Sequence, residues 1–233
     1  MKHIILDAPG KNAISSDLMR RIQSEIADAQ GGPILLSGAN GVFSAGMNLK
    51  EVAEKDENTM VDFLHLLEST CQALFHHPAP TVALVDGHAI AGGSILALCC
   101  DRIVAQNNPR ARIGLNEVAL GLRFPPRILN IIRYRIPSAT LSEVVLHAGL
   151  HGPEEALRLG LVDSVSDSAE QDAKALLKKP SALPAEAYAA TKSDLIAGVM
   201  DVSAEAEESY ISETVPRWVA PELKAMIRAM FGG

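Results

Sequence analysis

Small residues crowd two separate turns of this chain. A backbone that must turn sharply twice with no Cβ in the way leaves few folds open. The first turn reads Phe43-Ser44-Ala45-Gly46-Met47-Asn48-Leu49-Lys50-Glu51. The second reads Val85-Asp86-Gly87-His88-Ala89-Ile90-Ala91-Gly92-Gly93-Ser94 and runs into the apolar stretch Ile95-Leu96-Ala97-Leu98-Cys99-Cys100. A short apolar run, Thr81–Val85, precedes it, so this turn connects a strand to a helix. A helix that starts there leaves its first N–H groups unpaired at the positive end of its dipole.

The same alternation extends along the chain. Apolar runs at His3–Leu6, Pro33–Ser37, Thr81–Val85, Arg102–Ala105 and Val162–Val165 predict strands. Helices are predicted over Ser15–Ala29, where Leu18, Ile22 and Ile26 recur every fourth residue behind a serine cap, and over Thr59–Phe75, with Phe63, Leu67 and Leu74. Ser94–Cys100, Pro137–His147 and Pro153–Leu159 complete the helical pattern, and the whole reads as an α/β fold. From Lys178 the texture changes: Pro180 and Pro184 interrupt the chain, and Ala-, Glu- and Met-rich helical segments follow without a strand signal. The expected division is an α/β core over 1–180 and a helical region over 181–233, within the size of one domain carrying an appendage.

Composition narrows the partners. With 48% hydrophobic and 21% charged residues the chain can build a core, and a net charge of −7 argues against a nucleic-acid surface or an anionic membrane. Lys50, Arg110, Arg112, Arg123 and Arg127 are scattered, either a solvated face or local contacts to an anionic ligand. Cys71, Cys99 and Cys100 lack metal-ligand spacing and read as buried thiols of a reducing compartment. The opening Met1–Asp7 is too short and too soon acidic for a signal peptide, and the apolar run Ile90–Cys100 falls below the roughly 20 residues of a membrane span. A cytoplasmic protein is expected. His147 and His151 fall in a turn rather than on one helix face, and His76-His77 beside Pro78 reads as an exposed loop.

Two turns of this kind can offer two N–H groups to one oxygen, with a nearby carboxylate to move a proton. The candidate donors are the amides of Met47 and Gly92, the latter better placed because a helix begins beside it. The competing account is that Ala91-Gly92-Gly93 only lets strand and helix pack closely. Glu117, in Ile113-Gly114-Leu115-Asn116-Glu117, precedes apolar Val118-Ala119-Leu120. Burial there would lift its pKa above the ordinary value of roughly 4.3, toward a useful general base; a helix-capping or solvated glutamate is the alternative. Ser94 reads as a helix N-cap, since no histidine is set beside it to make it a nucleophile.

The stretch Asp86-Gly87-x-x-x-Ala91-Gly92-Gly93-x-x-Leu96-Ala97-x-x-Cys100-Asp101-x-x-x-Ala105 is similar to the signature of the enoyl-CoA hydratase/isomerase (crotonase) superfamily. Phe43–Leu49 resembles that family's first oxyanion loop, and Asn12-Ala13-Ile14-Ser15 its lead-in to the first helix. The resemblance, over nearly the whole chain, implies a right-handed ββα spiral core. It further implies C-terminal helices for trimer assembly (a homotrimer, or a hexamer as a dimer of trimers) and an acyl-CoA substrate. The thioester oxygen would lie between the Met47 and Gly92 amides, with Ala13, Ile14, Ala45, Gly46, Asn48, Leu49 and Ile95 along the substrate path. Lys11 and Lys50 would approach the CoA phosphates, while Met60, Phe63, Leu64 and Leu67 would line an acyl pocket or simply pack the core. No cofactor is implied beyond the coenzyme A carried by the substrate, because the thioester supplies the acidity.

Hydratases of this family carry two catalytic glutamates. The later one matches Glu117, whereas the earlier one falls at Ile95, which cannot hold or activate water. Gly114-Leu115-Asn116-Glu117 and Gly121-Leu122-Arg123-Phe124-Pro125-Pro126 resemble the Δ3,Δ2-enoyl-CoA isomerases, which work with this single glutamate. Double-bond migration is therefore expected, with hydration, another enolate-forming reaction or non-catalytic acyl-CoA binding as alternatives. Only His3–Leu6 precedes the Asp7-Ala8-Pro9-Gly10 turn, which puts the family's first strand pair in question. Trp218 is expected at a subunit interface or near the acyl tail.

Overall fold

Strands buried on both faces must be apolar throughout, and parallel pairing needs helical crossovers between them. Both conditions are met in the computed structural model, which describes residues 1–230. The strands are β1 (Lys2–Leu6), β2 (Ile34–Gly38), β3 (Thr81–Val85), β4 (Ala89–Ile90), β5 (Arg102–Gln106), β6 (Ile113–Gly114) and β7 (Ser164–Ser166). The helices are α1 (Pro9–Asn12), α2 (Ser16–Asp28), α3 (Leu49–Glu54), α4 (Glu57–Phe75), α5 (Gly92–Leu98) and α6 (Pro126–Arg135). They continue with α7 (Ser138–Leu146), α8 (Pro153–Leu159), α9 (Ala169–Lys178), α10 (Ala185–Ile196), α11 (Ala204–Trp218) and α12 (Pro221–Met230).

β1, β2, β3, β5 and β7 form one parallel sheet in that order. Alternate side chains divide between its faces. Leu35, Val82, Leu84 and Val104 meet Ala169, Ala173 and Leu177 of α9, while Ile34, Leu36, Ala83, Val85, Ile103 and Ala105 join the main core. A second, shorter ladder lies across the first. It consists of the β4–β6 pair and single bridges between Ile14 and Met47, Ser44 and Ala89, and Ile113 and His151. Successive passes of the chain therefore give one long strand, one short extended segment and one helix: β1, Ile14 and α2; β2, Ser44–Met47 and α4; β3, β4 and α5. This is a ββα spiral, and its short ladder is where the two small-residue turns meet.

Several boundaries moved for identifiable reasons. α5 begins at Gly92, not Ser94, and α4 begins at Glu57 because Asp56 and Thr59 cap it reciprocally. β7 lies two residues beyond the start expected at Val162. α3, α6 and α9 were not anticipated; α6 starts on Pro126, a residue tolerated in a first helical turn. β1 pairs in parallel with β2, from Lys2 against Ile34 to Leu6 against Gly38, and stands at the sheet edge; an opening strand hairpin is not formed among the described residues. His77 is not an exposed loop residue: it is buried, with Nε2 at 2.8 Å from the Gly32 carbonyl. Trp218 does not present its ring at the surface for a partner but is buried in the core, with Nε1 donating to Tyr210 Oη at 3.4 Å. All three cysteines are free and buried. No helix among the described residues is long and apolar enough to cross a membrane.

The C-terminal helices share the main core rather than forming one of their own: Ile196, Met200, Tyr210, Val215, Trp218, Leu223 and Ile227 belong to the same cluster as the sheet residues. A guanidinium fastens α11 to the helices beneath it. Arg127 of α6 donates to both carboxylate oxygens of Glu207 at 2.8 Å and to Glu68 of α4 at 3.2 Å. Burial raises the Glu68 carboxyl, against the pull of Arg127, so removing the cation leaves a buried carboxylate without its counter-charge. Arg127→Met is expected to lower unfolding stability by on the order of 3 kcal/mol, read by urea denaturation followed through Trp218 fluorescence; Glu68→Gln in the same background should recover part of that loss.

Candidate active site

The first turn is built on a left-handed residue. Asn12 is buried with φ 58°, a conformation asparagine tolerates better than most side chains. Its Nδ2 donates to the Val42 carbonyl at 2.6 Å and to that of Ala39 at 3.0 Å, which fixes the segment leading into Ser44. Ser44 Oγ then donates to the Asn12 carbonyl at 2.8 Å and accepts the Gly46 N–H at 3.1 Å. Ile14 N–H donates to the Gly46 carbonyl at 2.8 Å, and Asn48 N–H to the Ile14 carbonyl at 2.9 Å. Peptide groups alternate direction along an extended segment, so Met47 N–H, between these two bonds, points to the opposite side. It meets no acceptor among the described residues.

The second turn contains real backbone strain. Ala91 adopts φ 50°, ψ −119°, a region that costs of order 1–3 kcal/mol for a residue with a side chain. It is held there from both sides, its N–H donating to the Gly114 carbonyl at 2.8 Å and its carbonyl accepting Ile95 N–H at 3.0 Å. The next amide, Gly92 N–H, opens α5 and likewise has no acceptor among the described residues. The two turns touch backbone to backbone. A Cβ on Gly93 would come within 2.7 Å of the Ser44 carbonyl oxygen, and one on Gly92 would stand 3.6 Å from Met47 N. Gly46, at φ 90°, faces them from the other turn, where a Cβ would lie 2.9 Å from the Ile90 carbonyl oxygen. Two unpaired amides on adjoining loops, one at a helix start, are suited to bind one anionic or partly negative oxygen.

Glu117 enters from the short ladder. Gly114 is paired with Ile90, and three residues of chain, about 10 Å at full extension, separate it from Glu117. Glu117 opens a short 3-10 helix over Glu117–Leu120 and is 4% exposed, with neither carboxylate oxygen hydrogen-bonded among the described residues. Desolvation pushes its pKa up to about 7; the amides of Glu117 and Asn116 pull the other way without reaching hydrogen-bond geometry. It is thus neither the helix-capping nor the solvated glutamate of the alternative reading. A buried carboxylate with no cation and no donor is costly for a fold, and groups so displaced gather where proton transfer is done.

The other expected residues fall unevenly around this point. Ala13, Ile14 and Ile95 are buried, and Ile14 Cδ1 lies 3.2 Å from where a Gly92 Cβ would stand. Ala45, Asn48 and Leu49 are half-buried, but the Asn48 side chain is engaged in capping α3, accepting from Lys50 and Glu51 amides. Lys11 and Lys50 are exposed, and Met60, Phe63, Leu64 and Leu67 pack in the main core. Ser94 is not a helix cap; its hydroxyl donates to the Ala89 carbonyl and accepts the Gly114 amide. Cavities open elsewhere, about 480 Å³ beside α10 and about 760 Å³ between the 118–130 segment and α11. Neither is lined by the Met47–Gly92 pair or Glu117, so cavity size is a poor guide to the chemistry here. Sequence reasoning missed Asn12 as the anchor of the first turn, although the Pro-Gly-Lys-Asn run carried a turn signal. The strain at Ala91 left no local signal.

The sequence profile of the enoyl-CoA hydratase/isomerase family matches residues 1–215, and the chain belongs to that family. Among its relatives is the mitochondrial enoyl-CoA delta isomerase 1 of Mus musculus, 33% identical over 168 residues, which are 69% of this chain and 56% of that protein. The chain thus spans a little over half the length of that relative. Among solved structures, an enoyl-CoA hydratase from Bacillus halodurans superposes with a TM-score of 0.83 at 26% identity, covering 97% of this chain and 95% of the other. The human mitochondrial delta3-delta2-enoyl-CoA isomerase superposes with a TM-score of 0.89 at 21% identity, covering 99% and 93%, a likeness of fold. The fold is therefore the crotonase fold expected from the sequence motifs.

Because the folded-state pKa of Glu117 is raised, the folded chain binds a proton more tightly than the unfolded one, and stability is lost as pH climbs from about 4.5 to about 7. Glu117→Gln removes the titration but keeps the volume. The stability of this variant relative to the parent is expected to improve between pH 4 and pH 8 by on the order of 3 kcal/mol, by paired chemical denaturation at the two pH values. A pH-independent difference would mean that Glu117 is solvated.

Proposed function

We propose that this chain is an enoyl-CoA isomerase, moving a double bond from the Δ3 to the Δ2 position of an acyl-CoA thioester. The observation that carries the reading is one buried, unpaired carboxylate, Glu117, with aliphatic Ile95 where hydratases of the family hold a second glutamate. A thioester's α-proton is weakly acidic, and its removal becomes feasible when the developing enolate oxygen is stabilised. The amides of Met47 and Gly92 would hold that oxygen, and each such donor contributes about 100- to 1000-fold to rate. Glu117 would take the proton from C2 and return it at C4. A carboxyl whose pKa is pushed up to about 7 is suited to both halves, since it is partly ionised near neutrality and its conjugate acid is weak enough to have held the proton. Ile95, 3% exposed, offers no hydrogen bond to an attacking water. The reading calls on no metal or redox group, because the thioester itself makes the proton labile.

The likeness to a hydratase structure keeps hydration as the second reading. Product analysis with 2-enoyl-CoA in water separates the two, since hydration yields a 3-hydroxyacyl product and isomerisation does not. A purely acyl-CoA-binding role accounts poorly for a buried acid that weakens the fold. Cytoplasmic residence accords with three free, buried cysteines. The homotrimer expected for the family would assemble over the exposed apolar side of α10, where Leu195 is 67% exposed; Leu195→Asp should then sediment at lower mass than the parent.

The test is incubation with 3-enoyl-CoA in deuterated water, with the label located by mass spectrometry or NMR. Glu117→Gln is expected to lower kcat by about 100- to 10,000-fold with little change in CoA-ester affinity. For the parent, kcat/KM should rise with pH through an inflection near the Glu117 pKa of about 7, because the base must be ionised to act. Near-native turnover by the glutamine variant would sink the assignment.

A further inference from the structure

A catalytic carboxylate is usually aimed by what it bonds to, and Glu117 bonds to nothing: neither oxygen has a hydrogen-bond partner, and no ion pair involves it among the described residues. Its aim must come from the backbone at the root of its segment. That root is Gly114, the last residue of β6. Both peptide groups of Gly114 are held by the strand-to-helix turn, its carbonyl by Ala91 N–H at 2.8 Å and its N–H by Ser94 Oγ at 3.2 Å. From the other side Gly149 presses close, its carbonyl oxygen 2.1 Å from where a Gly114 Cβ would stand. Leu115, wholly buried, fixes the next step toward Glu117.

We propose that Ser94 is a positioning residue, its buried hydroxyl locking the segment that carries Glu117 to the turn that presents the Gly92 amide. The inference rests on the isomerase reading for its kinetic arm. Ser94 is 2% exposed, stands in the first turn of α5, and donates to the Ala89 carbonyl at 2.6 Å while accepting from Gly114. It thus touches three elements at once: β4 through Ala89, α5 through its own backbone, and β6 through Gly114. An alanine would fill nearly the same space in the helix, so packing alone does not ask for the hydroxyl. The other buried serines work differently: Ser37 on β2 meets His3 Nε2 of β1 at 2.8 Å, and the bonds of Ser44 to the Asn12 carbonyl and Gly46 amide both lie on the Met47 side, so neither reaches the segment of Glu117. Ser94 is therefore the side chain that sets the distance between proton acceptor and oxyanion donor.

The experiment compares the parent, Ser94→Ala, Ser94→Thr and Ser94→Cys as full-length protein, with Glu117→Gln as reference. Two quantities are read: kcat and KM for 3-enoyl-CoA, and the titration of the Glu117 carboxyl by NMR of ¹³C-glutamate-labelled protein, its resonance identified by its loss in Glu117→Gln. Ser94→Ala is expected to lower kcat by about 10- to 100-fold with KM within about twofold, the signature of a misplaced group rather than weakened binding. Its Glu117 midpoint should move toward the ordinary carboxylate range as the loosened segment admits water. Ser94→Thr, which keeps the hydroxyl, should recover most of the kcat; if its extra methyl prevents folding, Ser94→Cys replaces it and should fall between parent and alanine. Parent-like kcat and an unmoved midpoint in folded Ser94→Ala overturn the coupling while leaving the isomerase reading intact. A parent without isomerase activity, but with the midpoint displaced in Ser94→Ala, overturns the isomerase reading and leaves the coupling standing.

Discussion

The contact of two loops through bare backbone governs this molecule. Gly46 and Gly93 allow the Ser44–Met47 segment and the start of α5 to approach until a single added Cβ would collide with a carbonyl oxygen. At that approach two peptide amides, those of Met47 and Gly92, lie side by side without acceptors among the described residues. Unsatisfied donors in a protein interior cost free energy, so such an arrangement survives only where surrounding bonds over-determine it. Those bonds are present: Asn12 and Ser44 fix one turn, and Gly114 and Ser94 fix the other. The strained alanine at position 91 is the point at which the constraint is stored.

Electrostatics follows the same division between what the fold satisfies and what it leaves open. Glu68 is buried but bonded to Arg127, and Asp101 is bonded to Lys192 at 2.7 Å and to the Thr81 amide at 2.8 Å. These carboxylates join helices to one another and to the sheet. Among the described residues Glu117 is the fully buried acid that lacks both cation and donor, and desolvation displaces it furthest toward neutrality; half-buried Asp86, whose Oδ1 is also unpartnered, is raised for the same reason. A group that weakens the fold in its charged form fits a proton-transfer role better than a structural one.

Support for the site is distributed. The parallel sheet carries β3 and β5, whose extensions supply β4 and β6, and the helices beyond residue 181 close over α3, α4 and α6 instead of standing apart. Lys224 of α12 donates to the Lys55 carbonyl at 2.6 Å, so the helix after the first turn is covered by the last helix. The C-terminal region thereby contributes to the rigidity of the loops.

Much was legible locally. Thr81–Val85 is apolar without interruption because both faces of β3 are covered, and the four-residue recurrence of Leu18, Ile22 and Ile26 is the inward stripe of α2. The small-residue turns and the out-of-place Glu117 marked the site for the same reason: backbone approach requires missing side chains, and an acid in an apolar stretch requires a purpose. What could not be read locally depends on residues far apart in sequence. Two-residue strands such as β4 and β6 have no periodicity to detect, and they exist only because Ile90 meets Gly114. Ser94 looked like a cap because its partner twenty residues away was out of sight, and nothing in an alanine announces that neighbours will hold it at positive φ. Sequence determined which segments could be strand, helix or bare turn, since those preferences are local. Tertiary structure alone decided which amides stayed unpaired and which carboxylate stayed uncompensated, because both are properties of what fails to arrive from elsewhere in the chain.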